Sequence, residues 1–274
     1  MPELPEVEVI RMGLEPHLVG RRLESFYSSG KALRAPVPAK ELATLCGRRI
    51  TAVRRRGKYL LLDLDNGELL VFHLGMTGNL GLFPQGAPRR LHDHLEFLLD
   101  DSTLLRYHDP RRFGRVALLA TGDESARQVF FRTCGPEPLG GRFTAQWLKE
   151  KAKGRKISVK PFIMTSGVVV GIGNIYANES LFAAGIRPQR SVAKITMKEW
   201  QQLVECIRKT LQFAIECGGS TISDFRSADQ QSGYFQMNFQ VYGKAGEPCR
   251  RCGRHIEKEV LGGRSSYFCR SCQK

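Results

Sequence analysis

Apolar residues recur with two different periods along the chain. Residues 20 to about 120 contain short apolar runs separated by turn residues, such as Tyr59–Leu64 and Leu69–Phe72 with an Asn-Gly pair between them. Asn-Gly between two apolar runs is a strong signal for a β-hairpin. The runs 94–99 and 104–107 repeat the arrangement. After an N-terminal helix, this spacing predicts an antiparallel sandwich or barrel.

The second part of the chain has a helical pattern. The segment 135–141 is rich in glycine and proline and predicts a linker. Farther along, Thr196 and Glu199 match a capping box, and apolar residues follow at helical spacing until Gly218. Another helix is predicted to begin at Asn174, after a glycine-rich turn. That turn lacks the full dinucleotide or P-loop signature, so both phosphate contact and a tight helix–helix turn remain open.

Composition narrows the class of protein. With 274 residues and 42% hydrophobic residues, the chain can form two globular domains. It has neither an apolar run of about 20 residues nor a secretory signal, so we expect a cytoplasmic protein. The net charge of +15 favours a nucleic acid as partner. An anionic membrane is the alternative, but no basic amphipathic helix supports it.

Four of the eight cysteines lie close to the C-terminus as two Cys-x-x-Cys pairs: Cys249, Cys252, Cys269 and Cys272. This spacing is typical of a structural site for one Zn²⁺ with four thiolate ligands and no open position. Redox chemistry is the alternative use of such pairs. Between the pairs, apolar runs flank Gly262-Gly263, which predicts a β-hairpin carrying Arg264.

The N-terminus offers a candidate nucleophile. Removal of Met1 would make Pro2 a secondary amine with a pKa of about 8, so a sizeable fraction is unprotonated near neutral pH. Such an amine forms a cationic iminium with an aldehyde carbon. Glu3 and Glu6 stand within one helical turn as candidate proton-transfer groups. The plainer interpretation is a helix start, where proline and acidic residues are common.

Together these motifs resemble the formamidopyrimidine-DNA glycosylase family over nearly the whole chain. The motifs are Pro2-Glu3-Leu4-Pro5-Glu6, His73-Leu74-Gly75-Met76, Asp109-Pro110-Arg111-Arg112-Phe113-Gly114, Gly171-Ile172-Gly173-Asn174-Ile175-Tyr176 with Glu179 following, Gly233-Tyr234-Phe235 and the four cysteines with Arg264. The resemblance implies an α+β multidomain fold: an N-terminal antiparallel β-sandwich with flanking helices, a helical domain with a helix–two-turn–helix, and a β-hairpin zinc finger. We predict these domains at 1–132, 151–234 and 235–274, with a linker at 133–150.

The resemblance also implies a bifunctional DNA glycosylase and AP lyase for oxidised purines. Pro2 would attack C1′, Glu3 would serve the proton transfers of base loss and ring opening, Lys58 would assist base loss, and Arg264 would bind the phosphate beside the lesion. Glu6 is a candidate catalytic residue through its place in the same helical turn. Its implied partner is double-stranded DNA with oxidised purines or abasic sites, bound by a monomer. The implied location is the bacterial cytoplasm, in association with the nucleoid. The implied DNA-contacting residues are His73, His92, Arg111, Lys156, Lys160, Asn174, Tyr176, Met76 and Phe113, of which Met76, Arg111 and Phe113 fill the space left by the flipped nucleotide.

The chain departs from the family's sequence pattern in one loop, and two other interpretations of its function stay open. The family's lesion-binding loop often has Asp-Gly before Gly-Tyr-Phe, whereas this chain has Asp229-Gln230. This difference predicts either another loop path over the flipped base or a loop that stays mobile until DNA binds. The nearer alternative is the endonuclease VIII branch for oxidised pyrimidines, against which Leu4 and the Gly-Tyr-Phe loop speak. The other is a zinc-ribbon DNA-binding protein without catalysis.

Overall fold

The computed structural model describes residues 2–120, 124–220 and 235–274. They form two compact units. The first comprises the described residues up to Arg132 together with Cys217–Ser220. The second unit comprises Thr133–Glu216 and Phe235–Lys274. Gln230 and its loop lie outside the described residues. In the described ranges, no helix has both the length and the hydropathy that a membrane-spanning segment needs.

Eight strands of the first unit form two antiparallel sheets. The strands are β1 (Leu23–Ser28), β2 (Ile50–Arg56), β3 (Tyr59–Leu64), β4 (Leu69–His73), β5 (Asn79–Pro84), β6 (Asp93–Leu99), β7 (Thr103–His108) and β8 (Arg115–Leu119). Their orders are β1-β6-β7-β5 and β2-β3-β4-β8. The β3–β4 and β6–β7 hairpins confirm the two pairs predicted from the turn residues, and in the first pair Tyr59 lies opposite His73.

One core joins the two sheets to the N-terminal helix. The helices of this unit are α1 (Leu4–Leu18), α2 (Ala39–Ala43) and α3 (Glu124–Phe131). In α1, Val7, Ile10 and Leu14 fall on one face and are fully buried in a cluster that also holds Phe72 from one sheet and Phe97 from the other. The predicted β-sandwich is therefore confirmed, with α1 sharing its core.

The second unit is helical before its C-terminal hairpin. Its helices are α4 (Ala145–Ala152), α5 (Val159–Ile163), α6 (Asn174–Ala183) and α7 (Met197–Glu216), with 3₁₀ turns at Val192–Lys194 and Phe235–Asn238. The predicted capping box precedes α7: Thr196 N–H donates to Glu199 Oε2 at 2.8 Å, and Glu199 N–H donates to Thr196 Oγ1 at 3.3 Å. The helix ends before Gly218, as predicted, where φ is +74°.

The glycine- and proline-rich segment that the sequence predicts as a linker packs onto α7. Arg208 of α7 donates hydrogen bonds to the carbonyl oxygens of Pro138, Gly140 and Phe143. The glycine- and proline-rich segment is thus held by the second unit.

The C-terminal hairpin consists of β9 (Glu257–Leu261) and β10 (Arg264–Phe268), paired antiparallel with Arg264 opposite Leu261. Gly262 and Gly263 have φ of +56° and +74°. A two-residue turn with positive φ at both positions favours glycine, because it has no Cβ to clash. The predicted hairpin is confirmed, and Arg264 is exposed at its tip.

Candidate functional site

The start of α1 holds the predicted nucleophile in a buried position. Pro2 is buried, and Glu3, at the N-cap, is 2% exposed. Glu3 and Glu6 form a capping box across the first turn. The sequence pattern and the structure therefore agree that both carboxylates belong to one turn, next to Pro2.

Both carboxylate oxygens of Glu6 accept hydrogen bonds from the protein. Its Oε2 accepts from the Glu3 N–H at 2.8 Å, and its Oε1 accepts from the Ser220 N–H at 2.9 Å and the Ser220 hydroxyl at 2.8 Å. It is 1% exposed. The carboxylate thus fixes the chain at Glu3 and connects it to Ser220, the last described residue before the predicted lesion-binding loop.

Lys58 and His73 lie at the same end of the second sheet. Lys58 is in the turn between β2 and β3, after Gly57 with φ of +57°. This end is joined to α1 by Arg55, whose Nε donates to Glu8 Oε2 at 2.7 Å. Lys58 is close enough for its charge to act on His73.

His73 is neutral near neutral pH. Burial, followed by the positive charges of Lys58, Arg34 and Arg115, lowers its pKa to about 4. Its Nδ1 accepts from the Gly75 N–H at 3.2 Å, so the neutral ring carries its proton on Nε2. Before DNA binds, His73 therefore offers a phosphate the N–H of a neutral ring.

Met76, Arg111 and Phe113 lie on two loops of the sandwich. Met76 follows β4, and Arg111 and Phe113 lie between β7 and β8. Met76 is 38% exposed and Phe113 is 42% exposed, which is unusual for large apolar side chains. The Arg111 guanidinium lies 4.7 Å from the centre of the Phe113 ring.

His92 lies before β6, next to the second of these loops. Its ring centre is 5.9 Å from that of His108, and its carbonyl oxygen accepts from the Asp109 N–H at 3.0 Å. The side chain is half-buried. The structure thus brings His92 close to the loop that begins at Asp109.

The DNA-contacting residues predicted in the second unit differ in exposure. Lys156 is exposed, and Asn174 is half-buried at the first position of α6. The buried Asn174 Oδ1 has no hydrogen-bond partner among the residues that the structure describes. Tyr176 is 0% exposed, with its ring centre 5.5 Å from that of Phe235. The structure therefore places the Tyr176 side chain in the core, where it supports α6.

Lys160 is also buried, at 1% exposure. Its Nζ donates to the carbonyl oxygen of Ser265 at 2.7 Å and to Ser266 Oγ at 2.8 Å. Both acceptors come directly after Arg264 in β10. Lys160 therefore connects α5 to the strand that carries the predicted phosphate-binding arginine.

Two further connections between α6 and the C-terminal segment have no signal in the sequence. Asn178 donates from Nδ2 to the Asn174 carbonyl oxygen at 2.6 Å and accepts from the Tyr267 N–H at 2.8 Å. Glu179 accepts the N–H groups of three consecutive residues, Gln240, Val241 and Tyr242. Burial raises the pKa of Glu179, while these amide hydrogen bonds lower it. The helix start predicted at Asn174 places both side chains on α6, but it could not identify their partners.

The four predicted metal ligands converge on one point. The Sγ atoms of Cys249, Cys252, Cys269 and Cys272 all lie within 4.8 Å of one another. The Cys252–Cys269 and Cys249–Cys272 Sγ distances are 3.5 and 3.9 Å. Thiolates in a tetrahedron about 2.3 Å from Zn²⁺ lie about 3.8 Å apart. The cluster fits one structural zinc ion with no open position.

Comparisons with known proteins agree along the chain. Family models match at residues 1–116 (formamidopyrimidine-DNA glycosylase N-terminal domain), 134–226 (formamidopyrimidine-DNA glycosylase H2TH domain) and 246–274 (zinc finger found in FPG and IleRS). The chain belongs to the formamidopyrimidine-DNA glycosylase family. The helix–two-turn–helix and the zinc finger predicted from the resemblance are confirmed.

Relatives of this family cover the full chain. Formamidopyrimidine-DNA glycosylase of Acidithiobacillus ferrooxidans is 48% identical over 274 residues, which is 100% of both chains. The crystal structure of the family member from Thermus thermophilus is 39% identical with a TM-score of 0.88, covering 99% of this chain and 98% of that one. A Lactococcus lactis variant in complex with DNA containing Fapy-dG is 35% identical, with a TM-score of 0.90 and full coverage of both chains.

Proposed function

We propose that this protein is a bifunctional DNA glycosylase and AP lyase that excises oxidised purines from duplex DNA, with Pro2 as nucleophile. Membership of the formamidopyrimidine-DNA glycosylase family supports this activity. The observation that carries the assignment of residues is the buried first turn of α1, where Glu6 fixes the backbone at Glu3, directly after Pro2.

In the first half of the reaction, the Pro2 nitrogen attacks C1′ of the damaged nucleotide. The bond from C1′ to the base breaks, and the base leaves with a proton. Opening of the deoxyribose ring then gives an iminium between Pro2 and C1′. Glu3 is placed to deliver and remove the protons of these steps, because its carboxylate belongs to the residue directly after the nucleophile. Lys58, at the same end of the sandwich as His73, supports base loss.

In the second half, the cationic iminium acidifies the C2′ proton. Loss of that proton breaks the C3′–O3′ bond, and a second elimination breaks the C5′–O5′ bond. Water then releases Pro2 from the sugar fragment. Both strand breaks therefore result from the one covalent bond to Pro2.

The remaining residues bind and distort the DNA. Attack at C1′ in a duplex requires the nucleotide to flip out, at a cost of a few kcal/mol. Met76 and Phe113 enter the vacated stack while Arg111 faces the unpaired base. His73, His92, Lys156, Asn174 and Arg264 contact phosphates. Lys160 holds the strand that carries Arg264, Tyr176 supports α6, and Glu6 holds the backbone at Glu3.

The zinc ion, held by the four cysteines, supplies structure rather than chemistry, since four thiolates leave no open position. The folded hairpin presents Arg264, whose side chain has no hydrogen bond or ion pair within the described part of the chain. A protein acting on chromosomal DNA in this way would work in the cytoplasm, at the nucleoid.

Borohydride trapping tests the nucleophile. A Schiff base with abasic-site DNA is reduced to a stable adduct, and we expect mass spectrometry to place it on residue 2. An uncleaved N-terminal tag should abolish trapping, because the amine becomes an amide. The matched control carries the same tag at the C-terminus and should trap normally. An adduct on Lys58 would show that the nucleophile is misassigned.

A further inference from the structure

Two loops of the sandwich carry the three side chains that are proposed to fill the DNA stack. The first loop, between β4 and β5, holds Met76, and the second, between β7 and β8, holds Arg111 and Phe113. The loops are more than 30 residues apart in sequence. A wedge made of side chains from both of them works only if the loops keep a fixed relative position.

Thr77, next to Met76, joins the two loops. Its hydroxyl donates to Asp109 Oδ1 at 2.6 Å and accepts from the Arg111 N–H at 3.2 Å. Thr77 is only 6% exposed, although its neighbour Met76 is open to solvent. One hydroxyl group therefore contacts both the first residue of the second loop and the backbone of a stack-filling residue.

Asp109 joins the two ends of the second loop by a hydrogen bond. Its Oδ2 accepts from the Gly114 N–H at 2.8 Å and from the Tyr107 hydroxyl at 3.2 Å, and the residue is 0% exposed. Burial and the Asp109 charge raise the pKa of Tyr107 well above its usual range, so its hydroxyl remains a donor. With Thr77, these donors surround a carboxylate that has no ion pair among the described residues.

The backbones of the two loops are also in direct contact. A Cβ on Gly75 would lie 2.4 Å from the carbonyl carbon of Phe113, and the φ of Gly75 is +68°. A Cβ on Gly114 would lie 1.7 Å from the Tyr107 hydroxyl. Only glycine permits this approach at either position. The two loops are therefore in backbone contact where Gly75 meets Phe113.

We propose that Thr77 is a positioning residue that fixes Met76 relative to Arg111 and Phe113, so that the three side chains enter the DNA as one preformed wedge. This inference rests on the proposed glycosylase function. Preforming the wedge moves the entropy cost of ordering it from DNA binding to folding. The role concerns the distortion of a duplex and not the chemistry at Pro2.

The test compares duplex with single-stranded substrate. In Thr77→Val the side chain keeps its shape but loses the donor to Asp109 and the acceptor for Arg111. We expect excision of 8-oxoguanine from duplex DNA to fall by about tenfold or more, the value of one hydrogen bond to a charged group. Cleavage of a single-stranded abasic site should change less than about twofold, since no stack has to be filled.

Three further variants make the test specific. Thr77→Ser keeps the hydroxyl and should restore duplex activity. Thr51→Val removes an exposed hydroxyl in β2 that donates to the Asp63 carbonyl oxygen, and it should leave both activities unchanged. Tyr107→Phe removes another donor to Asp109 and should reproduce the selective duplex loss, which provides a second measurement if Thr77→Val folds poorly.

A fluorescent base opposite the abasic site reports the wedge directly. With 2-aminopurine at that position, wild-type protein should change its fluorescence on binding, and Thr77→Val should reduce this change. Equal loss on both substrates, or unaltered duplex excision in both Thr77→Val and Tyr107→Phe, would overturn the inference alone. Absence of borohydride trapping by the wild type would instead overturn the proposed function.

Discussion

Lys160 and Glu6 are charged residues whose side chains bind protein atoms, although Lys160 was predicted to contact DNA and Glu6 to transfer protons. The Lys160 ammonium donates to Ser265 and Ser266, and the Glu6 carboxylate accepts from Glu3 and Ser220. Burying a charge is costly unless hydrogen bonds compensate for the lost water. Each side chain has such bonds, so each serves to hold a neighbouring functional residue in place.

His73 gives a prediction about pH dependence. Because its pKa falls from 6.5 in the unfolded chain to about 4 in the folded one, the unfolded chain binds the extra proton between these values. The stability that the folded protein gains from a neutral, buried His73 is therefore complete above about pH 6.5. It is lost as the pH falls towards about 4. We expect urea denaturation to give a smaller free energy of unfolding at about pH 4.5 than at about pH 7.5, by up to about 3 kcal/mol from this group.

His73→Asn should reduce that difference, since the amide oxygen can accept the Gly75 N–H without titrating. His17→Asn removes an imidazole from the exposed face of α1 and serves as the control. Asp93 does not interfere: burial opposes its ionisation, but hydrogen bonds from His108 and Arg90 hold its pKa at about 2. An unchanged pH dependence in His73→Asn would contradict the prediction.

Among the elements, the zinc hairpin is tied to the helices at several points. Lys160 of α5 and Asn178 of α6 bind consecutive parts of β10, and Gln273 donates from Nε2 to the Ile186 carbonyl oxygen at 2.8 Å. Cys249 and Cys269 are buried in a cluster with Phe182 of α6. The hairpin is therefore part of the second unit, and Arg264 has a fixed position relative to α6.

Loss of the metal should therefore weaken DNA binding through the hairpin. Cys252→Ser removes one thiolate, and we expect the protein to lose zinc, because four-coordinate binding and folding of the hairpin are coupled. Binding to abasic-site DNA should weaken, since Arg264 is presented only by the folded hairpin. Zinc content by atomic absorption and affinity by fluorescence anisotropy provide the two measurements.

Cys46→Ser is the matched control, because Cys46 is an exposed thiol of the first unit outside the cluster. It should retain zinc and affinity. The far-ultraviolet circular dichroism signal of the β-sandwich should be nearly unchanged in both variants, because the sandwich has its own core. Full DNA affinity after complete zinc loss would show that Arg264 does not depend on the metal.

For the whole molecule, the net charge of +15 is the dominant property. Binding to undamaged duplex DNA should weaken linearly in log affinity against log salt concentration, because phosphate contacts release counterions. Lys156→Ala should lower the slope by about 0.9, equally for damaged and undamaged DNA, if Lys156 contacts one phosphate. Titrations at several salt concentrations measure both slopes.

Lys209→Ala is the control for the loss of one positive charge. Lys209 is exposed and pairs with Glu205 at 2.6 Å in α7, and it is not among the predicted DNA contacts. Its replacement should leave the slope close to that of the wild type. A Lys156→Ala effect restricted to damaged DNA would instead make Lys156 a lesion-reading residue.

The domain boundaries at 132, 150 and 234 stay a prediction.

The sequence by itself determined the features that depend on short-range order. The Asn-Gly hairpin, the Thr196–Glu199 capping box, the glycine turn before Arg264 and the Cys-x-x-Cys pairs were all predicted correctly. Each of them is specified by a few neighbouring residues whose backbone preferences or ligand spacing act locally. The motifs along the chain also identified the family.

Only the tertiary structure decided which polar residues are exposed and which are buried. The 3.6-residue period cannot show that Lys160 reaches Ser265 or that Asn178 reaches Tyr267, because these partners lie about 90 to 105 residues away in the chain. The same holds for Thr77 and Asp109, which meet across 32 residues. A side chain's hydrogen-bond partners depend on how distant elements pack, and that packing determines whether it contacts DNA or supports a residue that does.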